Sequence, residues 1–214
     1  MVITDAPFHN GPGDTEMYYG ITPVPPTYSE TVDALNAIHA KVLPIYSVMG
    51  DGDAYSNCLS IATDTGAVDT SDTPLVFSIS GDGTGLDEEV VNAVDTLAHD
   101  VPLDMSAVGR DDTSDDVDAT LFIDYITPFN EDTAECTGGL ETADIDDDTI
   151  DDVFIDVLPG TPVCFDIIPA INTIVEPIDE PQVFPAFIDV LGDYVTVLDT
   201  RDVWFLVPPD TPLE

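Results

Sequence analysis

The sequence predicts an α/β layer followed by an all-β antiparallel sandwich. Up to about residue 100, apolar residues recur at helical spacing between short strand-like runs, the mark of a layered α/β structure. Beyond that point the apolar residues alternate, and Pro, Gly and Asp turns separate the runs without a returning helical stripe. With 43 % hydrophobic residues among 214, the chain has enough apolar surface to bury a core. The boundary falls near Asp100 to Asp104, giving modules over 1–100 and 101–214.

"VIT" reads as the first strand and runs into the Gly/Pro-rich loop "FHNGPGDTEMYYGITPVPP". In "SETVDALNAIHAKV", Val32, Leu35, Ile38 and Val42 form a helical stripe with Ser29 as its N-cap. "LPIYSVM" is the next buried strand, and "AYSNCLSIATDTGAV" a helix closed by Gly66. "PLVFSIS", the turn "GDGTGL" and the helix "DEEVVNAVDTLAHDV" complete the module, with Asp87 read as a cap and acids at the dipole's positive end. The strand candidates of the second module are "PLDMSAVG", "VDATLFIDYITPF", "DDVFIDVLPG", "TPVCFDIIPAI", "QVFPAFIDVLG" and "VTVLDTRDVWFLVPP".

The charge balance is extreme: 44 acidic residues against Lys41, Arg110 and Arg201, a net charge of −41. Such a surface repels itself, and salt or bound divalent cations relieve the repulsion. Nucleic acid and anionic membranes are excluded as partners by this field. No apolar run reaches membrane-spanning length, and the opening residues lack the basic and long apolar regions of a secretory signal. A chain that starts inside a core strand reads as a truncated or processed piece.

Cys58, Cys136 and Cys164 allow one disulfide with one thiol left over. Pairing Cys136 with Cys164 encloses an acidic loop within one module and is favoured over either pair using Cys58. That choice implies an oxidising compartment. In the enclosed loop, "ETADIDDDTIDDVFID", Asp144, Asp146, Asp148 and Asp152 stand at relative positions 1, 3, 5 and 9 of a calcium loop, and the carbonyl of Ile150 fills position 7. Thr149 occupies the usual turn glycine's place and Ile155 that of the closing Glu. The competing reading is a solvated acidic turn.

"VITDAPFHN", "ETVDALNAIHAKVLPIYSV" and "VVNAVDTLAHDVPLD" resemble the C-terminal half of a von Willebrand factor A domain, a Rossmann-like layer, of the kind found in integrin β subunits. The second module is similar to the Ig-like hybrid domain that follows it there, with "LPGTPVCFDI" as the matching strand pair, and the tail "VTVLDTRDVWFLVPP" resembles bacterial cell-surface proteins. The resemblance implies an extracellular or cell-surface adhesion role, with a protein or surface ligand as partner. It also implies a divalent ion on a "DxSxS" loop, which this chain lacks. Asp5 in "TDAPFH" carries over as a partial metal ligand, and Mg²⁺ is expected only if a missing upstream half is present.

His9, His39 and His99 are scattered and read as surface or packing residues; only His9 lies near Asp5. "SISGDGTGLDEE", "GDGDAYSN" and "GRDDTSDDVD" read as turns and solvated loops before metal or phosphate sites. Neither "GxSxG", "HExxH" nor a P-loop occurs, so no enzyme is expected. The sequence-level expectation is a secreted, non-catalytic adhesion or ligand-binding module with a calcium-stabilised loop. A structural, salt-adapted surface protein is the alternative, and a calcium-dependent hydrolase the third.

Overall fold

In the computed structural model, which describes residues 1–47 and 52–210, the chain divides into two compact units, Met1–Pro102 and Leu103–Glu214. In the first, β1 (Val2–Thr4), β2 (Pro44–Ser47) and β3 (Phe77–Ile79) lie side by side as a parallel sheet with β2 central. Pro44, Ile45 and Tyr46 are all buried, a continuous run rather than an alternation, as a covered parallel strand requires. Val48 and Met49 of the strand read in the sequence, and Gly50 and Asp51 of the following turn, lie outside the described residues.

Helix α2 (Gly52–Asp64) lays Ala54, Cys58 and Ala62 inward, and Tyr46 joins Ala54 and Cys58 in one core cluster. Its end follows the glycine rule: Gly66 has φ +69°, and Ala67 N–H donates to the Ala62 carbonyl at 2.8 Å. The buried Asn57 accepts from Phe8 N–H at 2.7 Å, so the loop after β1 is fastened to this helix. Gly11 is required there, since an added Cβ would stand 2.8 Å from the Phe8 carbonyl oxygen and 2.9 Å from Asn57 Oδ1.

Two helices differ at their ends from the sequence reading. Helix α1 (Tyr28–Asn36) is capped by Thr27, not Ser29, because only Thr27 has a Glu three residues on. Thr27 Oγ1 accepts from Glu30 N–H at 3.2 Å, and Glu30 Oε2 accepts from Thr27 N–H at 2.8 Å. The helix also stops six residues before Val42, whose N–H instead donates to Thr65 Oγ1 at 3.0 Å while Leu43 accepts from Val2 N–H. Pairing into the sheet outweighs one more helical turn. Helix α3 (Leu86–His99) is capped by Gly85 at φ +90°, which places Asp87, Glu88 and Glu89 in its first turn. Asp87 therefore faces the helix dipole rather than capping.

Among the described residues, the second unit holds two antiparallel sheets. Strands β4 (Leu103–Asp111), β6 (Thr142–Ala143), β7 (Val153–Val157), β9 (Gln182–Gly192) and β10 (Thr196–Val207) form one, in the order β10-β9-β4-β7-β6. Strands β5 (Ile123–Phe129) and β8 (Cys164–Pro169) form the other. The run read as one strand from Val117 to Phe129 is broken by a 3₁₀ turn, Ala119–Phe122, capped where the Asp118 carboxylate accepts from Thr120 N–H. The turn buries Ala119 and Phe122 against Ala186 and Val207, with Phe205 stacked on Phe122 and Phe184 tilted against it. The sheets meet through Phe154 and Phe165, edge to face at 5.4 Å.

One ion pair ties three strands. Arg110 on β4 grips Asp189 on β9 through Nε at 2.6 Å and Nη2 at 3.1 Å, and Thr200 on β10 donates its hydroxyl to Asp189 at 2.7 Å. Asp189 is buried, and these donors hold its carboxyl below the usual carboxylate range. The guanidinium also lies 4.5 Å over the Phe187 ring.

Candidate metal centre

The acidic loop is the connection of a β-hairpin. Thr142 and Ala143 pair with Phe154 and Val153, and residues 144–152 span the gap between them. Asp152 N–H donates to the Ala143 carbonyl at 2.9 Å and Ile145 N–H to Asp152 Oδ2 at 3.0 Å, which closes the loop at its neck. Thr142 and Asp151 are joined by a side-chain hydrogen bond, and Thr127 of β5 reaches the Asp151 carbonyl.

The alternating aspartates make this loop curl. Asp144 Oδ2 accepts from Thr149 N–H at 2.7 Å while its Oδ1 accepts from Asp147 and Asp148, so one carboxylate winds five residues around itself. Asp147 and Thr149 consequently take positive φ, +64° and +79°. Thr149 thus adopts the backbone that the glycine of a calcium loop supplies, despite its Cβ.

Among the described residues, one group of at least three metal-ligating side chains converges: Asp144, Asp146 and Asp152, with ligand oxygens within 4.8 Å of one another. A calcium ion bonded to oxygens at about 2.3–2.6 Å spans that separation. Asp148 stands outside the group, its carboxylate turned back onto Ile150 N–H at 2.8 Å. Ile150 enters the loop's hydrogen bonding through that N–H.

The electrostatics separate the three carboxylates. Desolvation works to raise the Asp144 carboxyl, but the backbone N–H groups around it win and hold it low. Asp146 is pushed up, first by desolvation and then by Asp148, Asp152 and Asp144. One member is a satisfied anion and another an anion under repulsion, which a cation would relieve.

Beside the loop runs a groove of about 470 Å³ lined by Val108, Ile126 and Leu191 among apolar residues and by Asp124, Asp146 and Asp152 among acids. Tyr194 also lines it; burial, then Asp104, pushes its hydroxyl up to about 12, and it donates to Asp104 Oδ2 at 3.2 Å. Neither the groove nor this tyrosine was visible in the sequence, because their parts lie up to 90 residues apart. The Cys136–Cys164 disulfide, with Cα atoms 5.6 Å apart, encloses the whole loop, and Cys58 is a buried free thiol.

Asp5 is exposed just beyond β1 and belongs to no such group among the described residues. His9 is held by the Glu16 carbonyl at 3.0 Å and stacks on Tyr18 at 4.4 Å, a packing role. Asp82 closes a turn by accepting from Thr84 N–H, and Asp112 does so for Ser114. Because one carboxylate satisfies little of a calcium shell, Asp5→Ala is expected to leave calcium affinity unchanged in titration calorimetry. A large loss would make Asp5 part of a rebuilt site.

No family model, curated protein or solved structure matches this chain.

Proposed function

We propose that this chain is a non-catalytic, extracellular ligand-binding or adhesion module whose second unit is ordered by calcium. In this reading the first unit is the C-terminal half of a von Willebrand A-like domain and the second an integrin-hybrid-like sandwich of Ig type. The observation that carries the proposal is the convergence of Asp144, Asp146 and Asp152 at the neck of a disulfide-enclosed hairpin. The disulfide supports an oxidising, external compartment. The apolar groove with an acidic rim beside the loop offers a place for a ligand whose shape calcium would stabilise.

Calorimetric titration of the whole chain in raised salt tests this. Calcium is expected to bind saturably at one site and, at 100 times its dissociation constant, to stabilise by about 2.7 kcal/mol. Asp146→Asn combined with Asp152→Asn removes two of the three ligands and is expected to abolish that gain. In chelator the variant is expected to be more stable than the parent at neutral pH. The sign follows from Asp146: its folded-state carboxyl is raised, so ionisation costs stability as pH rises from the unfolded value through the folded one. On acidification the difference should close. The net charge of −41 favours a second reading, acidity that serves solubility in brine. Under it, any salt at high concentration stabilises parent and variant alike, and calcium shows no stoichiometric step.

A further inference from the structure

We propose that β10 is an interface at which two copies of this chain pair, antiparallel, about a two-fold axis at Thr200. The strand is an edge of its sheet and, at twelve residues, the longest of the described strands. Such an edge offers a row of backbone donors and acceptors that only another strand matches in register. Edges of this kind are usually blunted by lysine, proline or dense charge. Here Thr196–Val207 carries three charged residues, Asp199, Arg201 and Asp202, and no proline.

Charge selects the occupant. Two chains of net charge −41 repel each other over most of their surfaces, and β10 holds one of only three cations. Arg201 and Asp199 lie two residues apart on one face, joined within the strand at 2.8 Å. A two-fold axis perpendicular to the sheet brings same-face residues of the two strands opposite each other. Centred on Thr200, it sets each Arg201 across from the Asp199 of the other copy, giving a ring of alternating charges. Centres at Asp199, Arg201 or Asp202 would instead oppose like charges, which destabilises cross-strand pairs.

Apolar surface follows the same register. In that register Trp204 of each strand stands opposite Thr196 of the other with Leu198 diagonal to it, and both Trp204 and Leu198 are exposed. Leu198 is the extra residue of β10 where its pairing with β9 shifts between Val197 and Asp199, and the ladder from Asp199 to Val207 is regular.

Sedimentation velocity of the whole chain over a concentration series tests the pairing, in about 1 M salt so that screening falls to about 3 Å. A monomer–dimer equilibrium is expected. Arg201→Asp and Asp199→Arg are each expected to weaken the dimer about tenfold or more. Net charge alone would make Asp199→Arg associate more tightly, so the two explanations differ in sign. An equimolar mixture of the two variants is expected to recover parent-like affinity, because a strand with two acids then faces one with two bases. Both side chains are well exposed, and recovery on mixing excludes misfolding as the cause of the single effects. A parent that stays monomeric, single variants as tight as the parent, or a mixture that does not recover overturns the proposal.

Discussion

Phe154→Ala is expected to destabilise the second unit by about 3–5 kcal/mol, the range for emptying a large buried aromatic site. Phe154 is fully buried and is the largest such side chain among the described residues. On β7 it stands opposite Met105 of β4 and Thr142 of β6, and its ring meets Phe165 of β8 edge to face. One residue therefore joins the five-stranded sheet to the two-stranded one. Its loss leaves a cavity between strands fixed by their ladders, which cannot close over it. Because the molecule has two units, the effect belongs to one transition, read by hydrogen exchange at β4 and β7 amides under increasing urea. Phe154 also follows the acidic loop by two residues, so calcium affinity should fall in the same variant. Exchange at β4 and β7 that matches the parent would show that the sheets do not depend on this contact.

Removing the Cys136–Cys164 bridge is expected to cost about 3–4 kcal/mol, the unfolded-state entropy released when a loop of this size is opened. The sequence separation is 28, and the loop contains β6, the aspartate cluster and β7. The bridge also begins β8, so the same bond ties the hairpin to the second sheet. Melting of Cys136→Ser with Cys164→Ser against the parent measures the effect. An unchanged melt would mean that the ladder alone holds the loop. After reduction of the native protein, alkylation should label Cys136 and Cys164 before Cys58. Burial pushes the Cys58 thiol up to about 11, which leaves it protonated and slow at neutral pH.

Local patterns in the chain already held much of this architecture. The runs "QVFPAFIDVLG" and "VTVLDTRDVWFLVPP" became β9 and β10, although burial alternates with period two only over the last residues of β10, from Val203 to Val207. Gly66 ended its helix as a left-handed cap because that conformation is local to the residue. The aspartates of 144–152 curled their own loop, because the carboxylates of Asp144, Asp146 and Asp148 reach N–H groups two to five residues ahead. Thr27 displaced Ser29 as a cap through a rule equally local, the Glu three residues later.

Other features depended on residues distant along the chain. Composition allowed Arg110 any of dozens of acids; strand order and register assigned it Asp189, 79 residues away. Spacing treated Asp144, Asp146, Asp148 and Asp152 alike. The hairpin neck and the Ile150 N–H then drew three together and turned Asp148 aside. The 3₁₀ break at Ala119–Phe122 reflects burial of Phe122 between Phe184 and Phe205, partners that a strand pattern does not reveal. Short-range hydrogen bonds and side-chain periods are written in neighbouring residues. Which distant faces are buried against one another is set by the free energy of the packed whole, where loop-closure entropy and ladder register select among many equally acidic partners.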